Sequence, residues 1–361
     1  MTTSVRLIDN EPLFKEDADR LAILPIRFPE IWRFYKRLQS NTWTAEEITF
    51  KDDISQIKNG DVKEDILNVV EFILGFFSGA DKIVNENLAK NFLDTVKIME
   101  AEFFYGQQIQ NENVHNETYS VTIDTYYKDD PERKHKILNA VQTMPCIQKL
   151  FKWAQKWVHR TAEDELRENA ILQDYERDGV GYEELEDLAY IWSKGKLLVA
   201  FACVEGILFS AAFCILFWIK EQGILPGLTF SNELISVDEG MHRDFACLLY
   251  RMINNKPPAE QIEEIIREAV EFEKEFVKEM LAKNLTGMNA VDMAQYVEFT
   301  ADSLSKELGY ESIYSVKNPF PFMDKISFNG ITNFFEKRVA EYSLSGFEEG
   351  NDDELDLNDD Y

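Results

Sequence analysis

The chain has few of the residues that mark several common functional classes. Its 361 residues include only four cysteines and four histidines. The cysteines form no Cys-x-x-Cys pair, and four of them in a chain of this length do not make the disulfide framework of a secreted protein. We therefore interpret Cys146, Cys203, Cys214 and Cys247 as small buried side chains in a reducing compartment.

Basic residues are also scarce. Lys and Arg number 38 against 66 Asp and Glu, and the formal net charge is −28. Such a charge repels nucleic acid and anionic lipid, so neither is expected as a partner. The first residues, MTTSVRLIDNEPLF, lack the basic-then-apolar pattern of a signal peptide, and we expect a cytoplasmic location. The sequence contains no P-loop, no GxGxxG motif and no internal repeat.

One apolar segment is long enough to cross a membrane. Residues 197–219, LLVAFACVEGILFSAAFCILFWI, carry a single charged side chain, Glu205. Length and composition alone fit a membrane span, but no second such segment exists and the rest of the chain is strongly acidic. We therefore predict a buried helix rather than a span. A lone carboxylate in so apolar a helix is costly unless a cation pairs with it.

Helical periodicity dominates from about Pro29 onward, and alternating strand patterns are few. Apolar residues recur at helical spacing over residues 66–88, where Asp81 interrupts the seam. Further helices are predicted over about 91–127, 195–220 and 230–254, with two more between 258 and 308. The sequence therefore predicts an all-α protein.

Three regions are predicted along the chain: a poorly packed, flexible leader over 1–25, a helical domain over 26–347 and a disordered acidic tail over 348–361. Within the domain, residues 161–190 are acidic and polar, and Gly179 and Gly181 break them into short helical pieces on the surface. The tail has two interpretations. It either keeps the protein soluble or docks onto a partner, with Leu357 and Tyr361 as its anchors.

Two of the four histidines lie in Glu-x-x-His motifs, Glu112 to His115 and Glu239 to His242. Residues three apart share a helix face, so each motif aims a carboxylate and an imidazole at one point. Either motif alone is weak evidence for a metal site, because glutamate is common in this sequence and such a spacing can arise by chance. Two such motifs on separate helices are much more informative.

A di-metal site in a four-helix, ferritin-like bundle takes one such motif from each of two helices and one carboxylate from each of two others. Asp81 and Glu205 fit the single carboxylates, because each interrupts an apolar face. Four carboxylates balance two divalent ions, and oxygen and imidazole ligands suit iron or manganese. The alternative, polar core residues without a cation, conflicts with the cost of burying four acids. The predicted ligands are Asp81, Glu112, His115, Glu205, Glu239 and His242.

A tyrosine lies one turn beyond the first motif. Tyr119 shares a helix face with His115 and should point near the metals. Beside an oxygen-activating metal pair, a tyrosine is an oxidisable group. Phe209, Phe213 and Ile235 lie at helical spacing from ligands on two other helices. They are interpreted as a wall that keeps water from Tyr119, although such residues are also ordinary core residues.

Five segments carry a resemblance to a known family. They are DKIVNENL (81–88), ENVHNETYS (112–120), FACVEGILFS (201–210), PGLTFSNELISVDEGMHRDFACL (226–248) and TNFFEKRVAEY (332–342). They resemble the small subunits of class I ribonucleotide reductases of eukaryotic type. The resemblance runs from about Leu21 to Tyr342. It implies two iron ions, with manganese or a mixed pair as alternatives, and O2 as the oxidant. It also implies a homodimer that works with a large subunit.

The resemblance assigns roles to individual positions. The six predicted ligands fall on the family's metal ligands, and Tyr119 falls on the tyrosine that becomes a stable radical. Trp43 falls on the tryptophan that relays an electron to the metals, and Asp238 on the carboxylate that orients the first histidine ligand. Tyr342 falls on the mobile tyrosine that passes the radical to the large subunit, where ribonucleotides are reduced. The acidic tail resembles the anchor that binds that subunit.

Several positions depart from the family pattern. Val237 stands where arginine is usual, Thr42 where Phe commonly precedes the tryptophan, and Lys82 where a small residue is more usual. The chain ends in Tyr361 where Phe is common. The acidic stretch within 161–190 looks like an insertion of roughly thirty residues between the second and third ligand helices. None of these changes removes a predicted ligand or Tyr119.

Three alternatives remain open on the sequence. One is a related di-metal oxidase that acts on its own substrate. Asp81 and Tyr119 argue against this alternative. Another is ferritin-like iron storage, which needs neither the pairing of Trp43 with Asp238 nor an anchoring tail. The third is an inactive paralogue that only accompanies the large subunit, which the full set of predicted ligands disfavours.

Overall fold

The computed structural model describes residues 6–15, 20–87, 91–282 and 285–323. Side chains are not described for residues 81–83, 85–87 and 94. Within these ranges the chain forms helices and turns without any β-strand, apart from one isolated bridge between Leu285 and Met288. The prediction of an all-α fold is confirmed.

The described α-helices follow one another with short connections. They are α1 Pro29–Ser40, α2 Lys51–Asn59, α3 Glu64–Asn87, α4 Leu93–Thr95, α5 Met99–Tyr126, α6 Pro131–Leu138, α7 Ala140–Thr143, α8 Pro145–Val158, α9 Ala162–Glu168, α10 Ala170–Arg177, α11 Tyr182–Cys203, α12 Ser210–Glu221, α13 Pro226–Met252, α14 Ala259–Met280 and α15 Ala290–Glu307. Short 3-10 turns cover Leu7–Asn10 and Ala45–Glu47, and a π-helical turn covers Val204–Leu208.

The core is a bundle in which α3 and α13 both pack against α5, while α11 and α12 pack against α13. These are the helices on which all six predicted metal ligands lie, if the π turn between α11 and α12 is counted with them. A helix of this length is held mainly by packing of its apolar face. The bundle therefore brings four separate stretches of sequence to one buried region.

The start of α13 is fixed by a side chain from another helix. Pro226 occupies the first turn, where its missing N–H costs nothing. Asp53 of α2 accepts the backbone N–H groups of Gly227 at 2.7 Å and Leu228 at 2.9 Å. A Cβ on Gly227 would lie 2.4 Å from the carbonyl oxygen of Thr49, so only glycine allows this close approach. This contact sets the position of the helix that carries the second Glu-x-x-His motif.

The apolar segment is a buried helix, as predicted, but it is not regular. A helical stretch from Tyr182 to Glu221 is long and apolar enough to cross a membrane, and its most apolar part is entirely buried within the protein. The stretch is interrupted by the π turn Val204–Leu208, which contains Glu205. Hydropathy is insensitive to this change of helical pitch, so the sequence pattern predicted one continuous helix.

Part of the predicted loose leader packs against the rest of the chain, whereas Leu21 and Leu24 within it are largely exposed. Glu11 and Leu13 have no exposed surface. The carboxylate of Glu11 accepts the backbone N–H groups of Asn254 and Asn255, both at 2.8 Å. Further along, Arg20 forms an ion pair with buried Glu100 at 2.7 Å. These polar contacts join positions far apart in the chain, so local composition did not reveal them.

The acidic stretch 161–190 forms α9, α10 and the first turns of α11. It is not only a surface excursion, because α9 packs against α11. Glu165 of α9 is fully buried, and its carboxylate pairs with Lys196 of α11 at 2.6 Å and with Arg160. That this stretch is an insertion relative to the family stays a prediction.

Candidate metal centre

Four acidic and histidine side chains meet in the centre of the bundle. Glu112 from α5, Glu205 from the π turn, and Glu239 and His242 from α13 are all buried, and one ligand atom from each lies within 4.8 Å of the others. His115 joins them, since its Nδ1 is 3.1 Å from Glu239 Oε1. The structure therefore brings together five of the six predicted ligands.

The two imidazoles present the same nitrogen to this cluster. His242 Nδ1 lies 3.0 Å from Glu112 Oε1 and 3.1 Å from Glu239 Oε2. His115 turns its other nitrogen, Nε2, to Asp238 Oδ2 at 3.1 Å. When Nε2–H donates to that carboxylate, the lone pair of His115 Nδ1 faces the cluster, which is the tautomer that a metal ligand needs.

The charges in the cluster fit a pair of cations. Burial would lower the pKa of His242, but Glu112 and Glu239 raise it to about 9. Burial would raise the pKa of Glu239, yet His115 and His242 hold it well below its usual range. Three buried carboxylates thus require compensating positive charge. Metal ions can replace the imidazole protons, and a donor set of oxygen and nitrogen suits iron or manganese.

Asp81, the sixth predicted ligand, lies on α3, which packs against α5. Its side chain falls outside the described part of the structure. Its role as a ligand therefore stays a prediction.

A tryptophan is connected to the cluster through one carboxylate. Trp43 donates its Nε1–H to Asp238 Oδ2 at 2.8 Å, the oxygen that also faces His115. The Trp43 and His115 rings are stacked, with centroids 5.9 Å apart and 22° between their planes. Asn41 Nδ2–H donates to the other oxygen, Asp238 Oδ1, at 2.9 Å. Both oxygens of this buried carboxylate are therefore held in place.

Tyr119 lies in an aromatic pocket on the same helix as Glu112 and His115. Its side chain is only 3% exposed, and its ring stacks on Phe77 of α3 with centroids 4.8 Å apart. The ring of Phe77 in turn packs against those of Phe209 and Phe213, with centroid distances of 5.5 Å and 5.4 Å. The predicted wall residues thus reach Tyr119 through Phe77. Ile235 is buried one turn before Glu239.

Comparison with known proteins decides the family. A family model described as "Ribonucleotide reductase, small chain" matches residues 20–319. The chain belongs to this family. Similar curated proteins include the ribonucleoside-diphosphate reductase subunit M2 of Homo sapiens, 44% identical over 339 residues, which are 94% of this chain and 79% of the relative. The small chain of Trypanosoma brucei brucei is 46% identical over 337 residues, covering 93% of this chain and 90% of the relative.

Solved structures agree with the fold. The ribonucleotide reductase Rnr4 homodimer from Saccharomyces cerevisiae gives a TM-score of 0.71 at 30% identity, over 89% of this chain and 93% of that one. A ribonucleotide reductase R2 subunit from Clostridium botulinum gives a TM-score of 0.67 at 19% identity, over 83% of this chain and 89% of that one. At this identity the similarity supports the fold alone. Membership of the reductase family argues against the iron-storage and separate-oxidase alternatives.

Three residues of this reductase small chain, Gln108, Phe77 and Asn41, were missed by the reasoning from sequence. Gln108 is fully buried on α5, and its Nε2–H donates to Glu205 Oε1 at 3.1 Å. It lies one turn before Glu112, just as Phe77 lies one turn before Asp81. The spacing rule that singled out Tyr119 also identifies these positions. Asn41 offers no such signal, because it precedes Trp43 in an irregular segment.

The π turn explains part of the geometry of the reductase site. Gly206 follows Glu205, and a Cβ there would lie 2.7 Å from Cδ of Arg243 on α13. The stem of Arg243 thus crosses close to the widened turn. The predicted spacing of Phe209 and Phe213 from Glu205 assumed a regular helix, which this turn replaces. Turns of this kind occur frequently at functional sites.

Proposed function

We propose that this small chain holds two iron ions and uses O2 to convert Tyr119 into a stable radical. The radical is then lent to a large subunit, which reduces ribonucleoside diphosphates. The observation that carries the proposal is the contact of Trp43 and His115 with one carboxylate, Asp238, beside a buried cluster of acids and imidazoles. A purely structural cluster has no need of an oxidisable indole attached to it.

The residues that would hold the metals are Asp81, Glu112, His115, Glu205, Glu239 and His242. When bound, a ferrous pair supplies electrons for the reduction of O2 and, once oxidised, the driving force to oxidise a tyrosine. The donor set of this chain accepts manganese as well as iron. We propose iron, and the experiment below includes manganese.

Tyr119 is suited to become and remain a radical. Oxidation removes one electron from its ring and one proton from its phenol oxygen. The product survives only where water and reductants are excluded, and Tyr119 is buried behind the ring of Phe77. Phe209 and Phe213 lie behind Phe77 and thicken this apolar wall. The pocket therefore slows quenching of the radical.

Trp43 is suited to pass an electron towards the cluster. The carboxylate of Asp238 lies beside the indole N–H and stabilises the positive charge that forms when the ring loses an electron. The stacked ring of His115 continues the path to the predicted ligands. Asn41 keeps Asp238 from rotating away. Trp43, Asp238 and His115 are all buried, so each acts from a fixed position.

We further propose that two copies of the chain form a homodimer that works with a large subunit. The 30% identical Rnr4 structure is a homodimer, which supports the first part. The residues proposed for the second part are Tyr342 for radical transfer and Leu357 and Tyr361 as anchors. All three lie outside the described residues, so this part rests on the resemblance of their sequence.

Electron paramagnetic resonance tests the radical directly. The full chain is stripped of metal, reconstituted with ferrous iron and exposed to air, and in parallel with manganese. We expect a tyrosyl signal that disappears in Tyr119→Phe while the metal content stays the same. Tyr105→Phe is the matched control, because Tyr105 is also buried on α5 but stacks on Phe92 instead. An unchanged signal in Tyr119→Phe would refute the assignment.

A further inference from the structure

A buried glutamate lies outside the metal cluster, and the proposed mechanism does not use it. Glu273 on α14 has no exposed surface. Its Oε1 accepts the backbone N–H of Ala211 at 3.3 Å, while its Oε2 is buried without a hydrogen-bond partner among the described residues. Burial raises the pKa of Glu273 well above its usual range, and the single N–H contact offsets this only in part. Burial therefore favours the neutral form of this side chain.

The hydrogen bond from Ala211 to Glu273 lies next to the π turn. Ala211 lies in the first turn of α12, directly after the π turn that carries Glu205. The first N–H groups of a helix have no partners within it and need outside acceptors. Ser210 Oγ–H donates to the carbonyl oxygen of Ile207 at 2.6 Å across the same junction. Two side chains thus hold the place where π-helical pitch changes to α-helical pitch.

Aromatic rings pack one turn beyond Glu273 on α14. Phe276, one turn further along α14, contacts Phe76 with ring centroids 5.0 Å apart. Phe76 contacts Phe209, which joins the π turn to α12, at 5.4 Å. A fully buried carboxyl group loses its hydration, and that of Glu273 regains one hydrogen bond among the described residues. An apolar side chain of equal length would avoid that cost, so the acid is useful only if its contact with the backbone matters.

We propose that Glu273 is a positioning residue for Glu205. By accepting the N–H of Ala211, it fixes the junction between the π turn and α12 and so keeps the Glu205 carboxylate in the cluster. Shifting the wide turn by one residue would rotate the preceding side chains by about 100° relative to α12. This inference rests on the proposed function, because it takes Glu205 to be a metal ligand.

Two nearly isosteric variants separate the hydrogen bond from mere packing. Glu273→Gln keeps a carbonyl oxygen that can accept the N–H of Ala211. Glu273→Met keeps the length of the side chain but has no such acceptor. Glu271→Met, on the same helix but exposed, is the matched control.

The first measurement is hydrogen exchange in the metal-free full chain. We expect peptides covering residues 204–213 to exchange faster in Glu273→Met, and to keep the native rate in Glu273→Gln and Glu271→Met. This readout needs no bound metal. Circular dichroism of the same samples establishes that each variant has kept its helical content.

The second measurement is titration of the metal-free chains with Mn²⁺. The electron paramagnetic resonance signal of the free ion reports how much Mn²⁺ stays unbound. Glu273→Met should bind one of two ions about 10–100-fold more weakly, the range found when a partner of a metal ligand is lost. Native exchange and native Mn²⁺ affinity in Glu273→Met would overturn the inference. Equal losses in the Gln and Met variants would also overturn it, because the amide retains the acceptor.

The two proposals fail in different ways. If the unmodified chain bound neither Mn²⁺ nor Fe²⁺, the proposed metal function would be wrong, and so would the role of Glu273 towards a metal ligand. If the unmodified chain bound two ions and the Met variant bound them equally well, only the positioning role would be wrong.

Discussion

Trp43 and Asp238 are 195 positions apart in the chain and form a buried hydrogen bond of 2.8 Å. The same carboxylate oxygen faces the imidazole of His115. An indole, a carboxylate and an imidazole therefore form a continuous contact from the segment after α1 to the cluster in the bundle. This arrangement couples a redox-active ring to the predicted metal ligands while it fixes the tautomer of one of them.

The first prediction concerns Trp43→Phe. This change removes the N–H donor and the oxidisable indole but leaves the contact between Asp238 and His115. We expect unchanged metal content and a rate of tyrosyl radical formation that falls about 10–100-fold. Freeze-quench paramagnetic resonance after mixing the ferrous protein with O2 measures this rate. Trp32→Phe on α1 is the control, and radical formation at the native rate in Trp43→Phe would exclude the proposed relay.

The second prediction concerns Gln108→Leu. The change removes the amide that donates to Glu205 Oε1 in a fully buried site. We expect metal affinity to fall about 10–100-fold, because Glu205 loses a contact that orients it. Titration of the metal-free chain with Mn²⁺ measures the effect. Gln110→Leu on the exposed side of the same helix should bind normally, and equal affinities in both variants would contradict the role given to Gln108.

The third prediction concerns pH and the ion pair of Arg20 with Glu100. Burial would raise the pKa of Glu100, but Arg20 and the backbone N–H groups of Arg27 and Phe28 lower it to about 2. A lowered pKa stabilises the fold above the ordinary value of 4.5, and this contribution is lost as pH falls towards 2. Arg20→Met should therefore cost about 1–3 kcal/mol at pH 7.

The same ion pair predicts a change in acid unfolding. Without Arg20, the carboxylate of Glu100 should protonate at a higher pH, so the acid-unfolding midpoint of Arg20→Met should rise. Circular dichroism between pH 7 and pH 2 measures both midpoints. Arg33→Met, an exposed change on α1, serves as the control. An identical acid midpoint in Arg20→Met and the unmodified chain would show that this ion pair does not contribute to the acid stability of the fold.

The sequence predicted the contacts that follow from helical spacing. Glu112 and His115 lie three residues apart, as do Glu239 and His242, and a helix places each pair on one face. An acid in an apolar stretch carries a desolvation cost that only a partner relieves, which singled out Glu205. These rules act within one helix and need no knowledge of tertiary structure, and the all-α fold follows from the same periodicity.

Contacts between distant segments could not be predicted in this way. Asp53 caps α13 from α2, and Glu11 holds the backbone after α13 from the N-terminal segment. Each is an acid on an otherwise ordinary polar stretch, so nothing local distinguishes it from a solvated residue. The π turn at Glu205 could not be predicted for a related reason, because a run of apolar residues has the same hydropathy at either helical pitch. Both kinds of feature are decided by packing between helices.

The last prediction concerns the ring that covers Tyr119. Phe77→Ala removes the side chain that stacks on Tyr119 at 4.8 Å and leaves a cavity where the wall was. A deletion of this size costs about 3–5 kcal/mol of stability. Phe92→Ala provides the matched control, because Phe92 is equally buried but stacks on Tyr105. Urea unfolding should therefore show similar losses in the two variants.

The lifetime of the tyrosyl radical should distinguish Phe77→Ala from Phe92→Ala. Once Phe77 is shortened, small reductants and water can approach Tyr119, so the tyrosyl signal should decay faster than in the unmodified chain. Phe92→Ala leaves the wall of Phe77, Phe209 and Phe213 intact, and its signal should persist. Decay of the resonance signal in the presence of hydroxyurea measures both lifetimes. Equal decay in the two variants would mean that loss of stability, rather than loss of the covering ring, exposes the radical.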